Sequence, residues 1–219
     1  MASPHLRRAL RLYREIDTKL EPEAARIGAT CTKGCAACCY LLVGVTYAEA
    51  RVIAQHVTAS MPREKVRDLR SRLVEATGRL DGVRSRDDYL LRQAPCVFLR
   101  TGDDPWSGTC TIYAARPLAC RLHLVVSPPE HCAPDAVRDV AMLDTRFVHV
   151  HASVLLADHG DERATKYGPL APLTVLALDQ VIEGVVPSLL ELESWERRME
   201  RWSPLARSRP AGRAPAPST

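Results

Sequence analysis

Four of the eight cysteines fall within nine residues, Cys31, Cys35, Cys38 and Cys39, in the run Cys-Thr-Lys-Gly-Cys-Ala-Ala-Cys-Cys. The other four, Cys96, Cys110, Cys120 and Cys132, follow in a second block, and no other segment carries a cysteine. Thiolates are soft ligands that select zinc, iron and iron–sulfur clusters. Four disulfides are the competing reading. They belong to oxidising compartments and to small, cysteine-dense scaffolds, and this chain has 219 residues. Cys38 and Cys39 are adjacent, which strains a mutual disulfide but lets both turn toward one metal centre. The expected metal ligands are therefore Cys31, Cys35, Cys38, Cys39, Cys96, Cys110, Cys120 and Cys132.

The first four thiols are spaced i, i+4, i+7, i+8, which on a continuous helix is a single stripe. Gly34 speaks against that helix, because glycine in a helix interior costs about 1 kcal/mol relative to alanine. Glycine directly before Cys35 suits a tight knuckle with backbone N–H groups aimed at sulfur, a recurrent grip on zinc or iron. Gly108-Thr109-Cys110 repeats the pairing of glycine and thiol. In Arg116-Pro117-Leu118-Ala119-Cys120-Arg121, proline opens a helix and Cys120 falls in or just after its first turn, where the helix dipole favours thiolate. Several thiolates leave excess negative charge, so Lys33, Arg116 and Arg121 are expected to compensate it. The paired knuckles of a zinc ribbon and the regular repeats of a ferredoxin are both absent. Spacing alone points to a metal without naming it.

His123 and His131 lie inside the cysteine block and are the histidines best placed to add ligands, although eight thiols already suffice. His149 and His151 would diverge by about 200° on a helix and so would not share a metal. His151 and His159 satisfy ordinary polar contacts. Asp87, Asp88, Asp103 and Asp104 read as turn and helix-start residues. No Gly-x-Gly-x-x-Gly, Walker loop or Gly-x-Ser-x-Gly elbow occurs, so nucleotide, dinucleotide and serine-hydrolase chemistry lack support. A Rossmann-like S-adenosylmethionine site lacks support for the same reason.

The elements that must position the thiols are helices. Apolar residues make up 46 % and charged residues 26 % of the chain, ordinary values for a globular protein. Leu6, Leu10, Tyr13, Ile16 and Leu20 recur at helical spacing and predict a helix over 4–27. Thr46 with Glu49 forms a capping box that opens a second helix. Pro62 opens a third, with Val66, Leu69, Leu73 and Val74 on one face, and 87–93 forms a short fourth. Residues 95–132 are rich in turn formers and poor in helix, as a metal-organised region would be. Further helices are expected over 136–159, 170–184 and 188–202, and the Pro- and Arg-rich 203–219 reads as disordered. The fold class is mainly α, with an irregular, metal-organised cysteine-rich region packed within a helical domain. Its divisions are an N-terminal helix (1–30), a cysteine-cluster domain (31–132) with inserted helices over 46–94, a helical region (133–202) packed on it, and the tail.

The first twenty residues carry charges throughout and lack an apolar signal core. No run approaches 18 apolar residues, so no membrane partner is expected, and the cytoplasm is the expected compartment. The net charge of +4 is concentrated in the tail rather than interleaved with aromatics on folded structure, so no nucleic-acid partner is expected either. A protein or peptide partner at the C-terminal helices remains open.

Taken in register, Cys31-x-x-Gly34-Cys35-x-x-Cys38-Cys39, Cys96-Val97-Phe98-Leu99, Gly108-x-Cys110-x-Ile112-Tyr113-x-x-Arg116-Pro117-x-x-Cys120-Arg121 and Pro128-x-x-x-Cys132 resemble the YkgJ-type cysteine-cluster proteins. The resemblance spans residues 31–132, with a first spacing of Cys-x-x-x-Cys. It implies a zinc or iron centre, or an iron–sulfur cluster, in a bacterial cytosolic protein. A related branch contains flagellin lysine methylases, so the resemblance also keeps an enzymatic role open. The expected function is a protein that holds iron, as an iron–sulfur cluster in one form, or zinc. The alternatives are an iron or iron–sulfur enzyme acting in redox or protein modification, and a zinc-stabilised interaction module.

Overall fold

The computed structural model describes residues 3–104, 106–132, 141–142, 144–157 and 160–202. In chain order the helices are α1 (Pro4–Arg26), α2 (Tyr47–Ser60), α3 (Arg63–Gly78), α4 (Arg86–Leu91), α5 (Leu118–Arg121), α6 (Arg146–Leu156), α7 (Leu170–Glu183) and α8 (Leu189–Trp202). Three-residue strands β1 (Gly44–Thr46), β2 (Leu99–Thr101), β3 (Gly108–Cys110) and β4 (Tyr167–Pro169) make two antiparallel pairs, β1 with β4 and β2 with β3. The chain is mainly helical, and the cysteine-rich segments lie within the helical domain. Among the described residues no helix is long and apolar enough to cross a membrane.

Helix α2 is the centre of the packing. Its sequence is apolar nearly all round, and Tyr47, Ala48, Ala50, Val52, Ile53, Ala54 and Val57 are all buried. A helix of that composition must be covered on more than one side. Ala50, Ile53, Ala54 and Val57 face a core shared with Leu69 and Leu73 of α3, Leu173 and Leu178 of α7, and Phe98 and Ile112. Ala48 and Val52 face a second core built from Leu6, Ala9, Tyr13 and Ile16 of α1, Leu118 and Leu122, and Ala152 and Leu156 of α6. A smaller cluster of Leu80, Val83 and Trp202 closes α8 against the end of α3, with the indole N–H of Trp202 donating to Val83 O at 3.0 Å.

Local sequence sets the helix starts. Ser3 accepts from Leu6 N at 3.1 Å to cap α1, and Ser85 accepts from Asp88 N at 3.1 Å to cap α4. The capping box at α2 is complete: Thr46 Oγ1 accepts from Glu49 N, and Glu49 Oε2 accepts from Thr46 N at 2.9 Å. The other carboxylate oxygen, Oε1, accepts from Leu118 N at 2.8 Å. Glu49 is only 1 % exposed, so one buried carboxylate satisfies orphan donors at the first turns of both α2 and α5.

Two expectations need correction. Within the helix expected over 136–159, the described residues 141 and 142 are not helical. Ala141 N donates to Ser127 Oγ, Val126 N donates to Ala141 O, and Met142 bridges Val125, so this stretch pairs with the 125–127 segment. Helix α6 then begins at Arg146, whose N–H is met by the Asp144 carboxylate. Residues 133–140, His159 and the tail 203–219 lie outside the described residues. The short helix expected over 87–93 starts at Arg86 and stops at Leu91, and Gln93 has φ of +45°, which no continuing helix can hold.

Glu49→Ala would leave the Leu118 and Thr46 N–H groups and the Thr46 hydroxyl without their acceptor. It should lower unfolding free energy by about 3 kcal/mol in a denaturant titration, whereas Val74→Ala at a half-exposed position should change it by less than about 0.5 kcal/mol.

Candidate metal centre

The first cysteine run is a knuckle. Gly34 has φ of +104°, outside the right-handed helical region, and Cys35 N donates to Thr32 O at 3.1 Å to close the turn. A single-turn 3₁₀ helix, Ala37–Tyr40, then carries Cys38 and Cys39. The stripe geometry of one continuous helix is therefore not formed.

Backbone hydrogen bonds sew the second block onto this knuckle. Gly108 N donates to Gly34 O at 2.9 Å, Ala36 N to Trp106 O at 2.7 Å, and Cys96 N to Cys39 O at 2.8 Å. Cys35 bridges Ser107. In the β2–β3 pair Cys110 stands opposite Leu99. Gly108 has to be glycine, because a Cβ there would lie 2.7 Å from Arg100 O. Cys120 sits in α5. Thr30 N donates to Val125 O at 2.8 Å, which brings the chain just before the knuckle beside the strand-like exit from α5. Cys31 Sγ lies 3.2 Å from Val125 N, which donates to it, and 3.5 Å from His123 O. Cys132 ends a short 3₁₀ turn, Pro129–Cys132, that packs against the turn of Cys38 and Cys39.

These connections bring Cys31, Cys35, Cys38, Cys39, Cys110 and Cys120 around one cleft of about 450 Å³, together with Lys33, Tyr113, Arg116, Arg121 and His123. Cys96 borders an adjoining inner cavity of about 80 Å³ that shares Cys35, Cys38, Cys39, Cys110 and Cys120. Cys132 lines neither, and burial, with the neighbouring thiols of Cys31, Cys35 and Cys38, raises it above its ordinary value. Of the two histidines singled out in the sequence, His123 faces the cleft and His131 lies beside Cys132 in the 3₁₀ turn. Among the described residues, no three His, Cys, Asp or Glu side chains are gathered closely enough to form a finished cage. Ligation would draw the thiols inward from positions around the cleft.

The electrostatics fit a cation. Burial pushes the Cys96 thiol up to about 11 and the Cys120 thiol well above its ordinary value, with neighbouring thiols adding to the rise. Cys38 is raised by its hydrogen bond with Cys39, in which the protonated thiol is held, and then by burial. Arg116 acts in the opposite direction on Cys31, Cys38, Cys110 and Cys120. Its Nε is buried without a hydrogen-bond partner, and its guanidinium lies 4.1 Å from the Tyr113 ring centre. The Lys33 ammonium lies 5.4 Å from the same Tyr113 ring centre. A soft cation bound here would displace the protons that burial now holds on these thiols.

Arg121 plays a larger structural part than the sequence suggests. It is 3 % exposed, ion-paired with Asp17 of α1, stacked 4.5 Å from the Tyr13 ring centre, and donates to Ala114 O at 3.0 Å. Its field still eases ionisation of Cys110, but it mainly fastens α1 to the turn that carries Cys120. Sequence reasoning missed Glu49 as the support of that turn and Asp17 as the partner of both arginines, since Arg116 also reaches Asp17 at 3.4 Å. Asp17 follows Tyr13 by four residues on one helical face, and that spacing was the available signal.

A cleft walled by soft donors on a helical scaffold is the architecture of a metal-chelating domain. Residues 30–140, about half of the chain, match the model of the CxxCxxCC family, described as a putative zinc- or iron-chelating domain, and the chain belongs to that family. Neither a search of curated proteins nor a search of solved structures returns a match.

Gly34→Ala forces an alanine into a glycine-only conformation and should cost about 1–3 kcal/mol of stability by denaturant unfolding. Gly108→Ala should cost a similar amount through its clash with the β2 backbone. Gly78→Ala, at the end of α3 with open space around it, should be neutral or stabilising by up to about 1 kcal/mol in the same assay.

Proposed function

We propose that this protein holds iron in the cytoplasm through clustered cysteine thiolates, as a multinuclear or iron–sulfur centre. The observation that carries the reading is the convergence of six cysteines on one cleft, with a seventh in the adjoining cavity. That is more thiol than a single four-coordinate ion can use. Membership in a zinc- or iron-chelating family supports metal binding in general. The ligands proposed are Cys31, Cys35, Cys38, Cys39, Cys96, Cys110, Cys120 and Cys132. Iron held there would supply one-electron chemistry, with Arg116 offsetting the charge of the thiolates. Because burial keeps the free thiols protonated, metal uptake releases protons, and affinity falls as the pH is lowered.

Zinc suits the same donors, and with zinc the centre would organise the fold rather than carry electrons. An enzymatic role has one specific support. A groove of about 290 Å³, walled by Leu41, Leu42, Met199 and Trp202, reaches Cys38, Cys120 and His123 from the side of α8 and offers a small molecule a path to the thiols. A protein partner at the C-terminal helices is supported by the exposed apolar run of Ile182, Val185, Val186 and Leu190 between α7 and α8.

Anaerobic purification followed by metal analysis and visible spectroscopy separates these readings. The expected result is a brown protein containing iron and absorbing broadly near about 400 nm. A colourless protein with stoichiometric zinc would overturn the iron reading. Removing the metal under reducing conditions should unfold the cysteine region, because thiolate–metal binding of this type is worth about 10 kcal/mol or more. If removal left stability unchanged, metal binding as the function would fail.

A further inference from the structure

Two exposed surfaces lie outside the thiol centre, and each sets charge beside apolar side chains. The first is a groove of about 470 Å³ between α1 and α6, walled by Arg8, Arg11, Leu12 and Glu15 on one side and by Leu155 and Leu156 on the other. Val150 and Val154, one turn apart on α6, are 65 % and 55 % exposed. Arg8 and Arg11 are exposed too. Among the described residues neither pairs with a carboxylate, although Glu15 stands one turn beyond Arg11. The second surface is the corner between α7 and α8. Ile182, Val185, Val186 and Leu190 are exposed there, Leu190 to 74 %. Glu183 and Glu191 flank them, both exposed, and among the described residues neither forms an ion pair.

Most of these charges run against what their own helices favour. A helix N-terminus stabilises anions and a C-terminus cations. Helix α1 has no acidic residue in its first turn and carries Arg7, Arg8, Arg11 and Arg14 before its first carboxylate, Glu15. Arg8 and Arg11, three residues apart on one face, also repel each other. Glu183 is the last residue of α7, whose last turn has no basic residue. Glu191 alone suits its place, in the first turn of α8. Locally unfavourable charge beside exposed apolar side chains is the mark of a surface completed by a partner.

The two surfaces complement each other, apolar against apolar and arginine against glutamate. Within one chain α2 separates them. Helices α1 and α6 pack on its Ala48 and Val52 side, and α7 on its Ala50, Ile53, Ala54 and Val57 side. Resting on the reading of the α7–α8 corner as a protein-binding surface, we infer that its partner is a second copy of this chain, whose α1–α6 groove receives the corner, with Arg8 and Arg11 meeting Glu183 and Glu191. Groove and corner are different patches, so the contact is head-to-tail, and each pair leaves one of each free to bind a further copy. Apolar burial supplies the affinity, and the charges set register and partner choice. None of these residues lines the thiol cleft, so association and metal binding can be measured apart.

The test is sedimentation of the full chain, reduced and as purified, over a concentration series. The mean mass should rise with concentration, and the rise should shrink as salt screens the charges. Arg8→Glu with Arg11→Glu, and separately Glu183→Arg with Glu191→Arg, should each weaken association by about tenfold or more, because like charges then meet. All four positions are exposed, so both variants should fold. Mixing the two variants should restore association, since each groove then faces a corner of opposite charge. A chain that stays monomeric at every concentration would overturn the second copy as partner, leaving the corner to a foreign protein. Association that survives the corner substitutions would overturn both this inference and the reading of the corner it rests on. Association lost in both variants but not restored by mixing would show a contact of another geometry and overturn the head-to-tail pairing. Metal content of the same samples should be unchanged throughout, which keeps any of these failures apart from a failure of the metal-binding reading.

Discussion

The carboxylate of Glu49 is the interaction on which the arrangement depends. One buried side chain accepts from the backbone and hydroxyl of Thr46 and from the backbone of Leu118. It thereby starts the most deeply buried helix of the protein and fixes the short helix that carries Cys120. A neutral, well-packed residue could fill the same volume, but it could not terminate two sets of orphan N–H groups. The consequence reaches the cleft. The position of Cys120 is set from the protein interior, through a helix packed between two cores, and not by the loops around it.

Around that anchor the protein manages two opposed charges. Thiols brought together resist losing their protons, because each anion raises the cost of the next and burial removes the water that would stabilise them. Arginines brought into the same region need anions of their own. Asp17 on α1 serves Arg121 fully and Arg116 partly, which leaves the Arg116 guanidinium facing the cysteines over the Tyr113 ring. Tyr13 fills the space behind, its ring against Arg121 and its hydroxyl buried without a hydrogen-bond partner. Helix α1 is therefore part of the centre although it contributes no thiol.

Much of this was legible in the sequence because it is local. Periodicity and caps placed α1, α7 and α8 and the starts of α2 and α3 within a residue or two, and Gly34 announced a knuckle because only a backbone conformation was at issue. What was not legible is long-range. The Leu118–Glu49 bond spans 69 residues and the Arg121–Asp17 pair 104, and nothing in either neighbourhood names its partner. The β2–β3 pair escaped for a different reason. Its strands are three residues long, too short for an alternating pattern, and they are fixed by the Gly108–Gly34 contact rather than by their own side chains. The helix expected over 136–159 failed at 141 and 142, where pairing with 125–127 overrode helical periodicity.

The irregularity of the cysteine region has a physical reason that joins these points. A regular helix or strand aims consecutive side chains in fixed and diverging directions, so it can supply a metal with one or two ligands at most from a short run. Turns linked by isolated backbone hydrogen bonds can aim Cys35, Cys38 and Cys39 toward one side of the knuckle. They gain little hydrophobic stabilisation in return, since most of the thiols are only partly buried. The two α2 cores supply the stability that the knuckle lacks, and Glu49, Arg121 and the Cys96–Cys39 backbone bond are the points where it is transmitted. Thiols carried on turns but referenced to a rigid interior can close on an ion by small movements of the turns while the helical frame stays as it is.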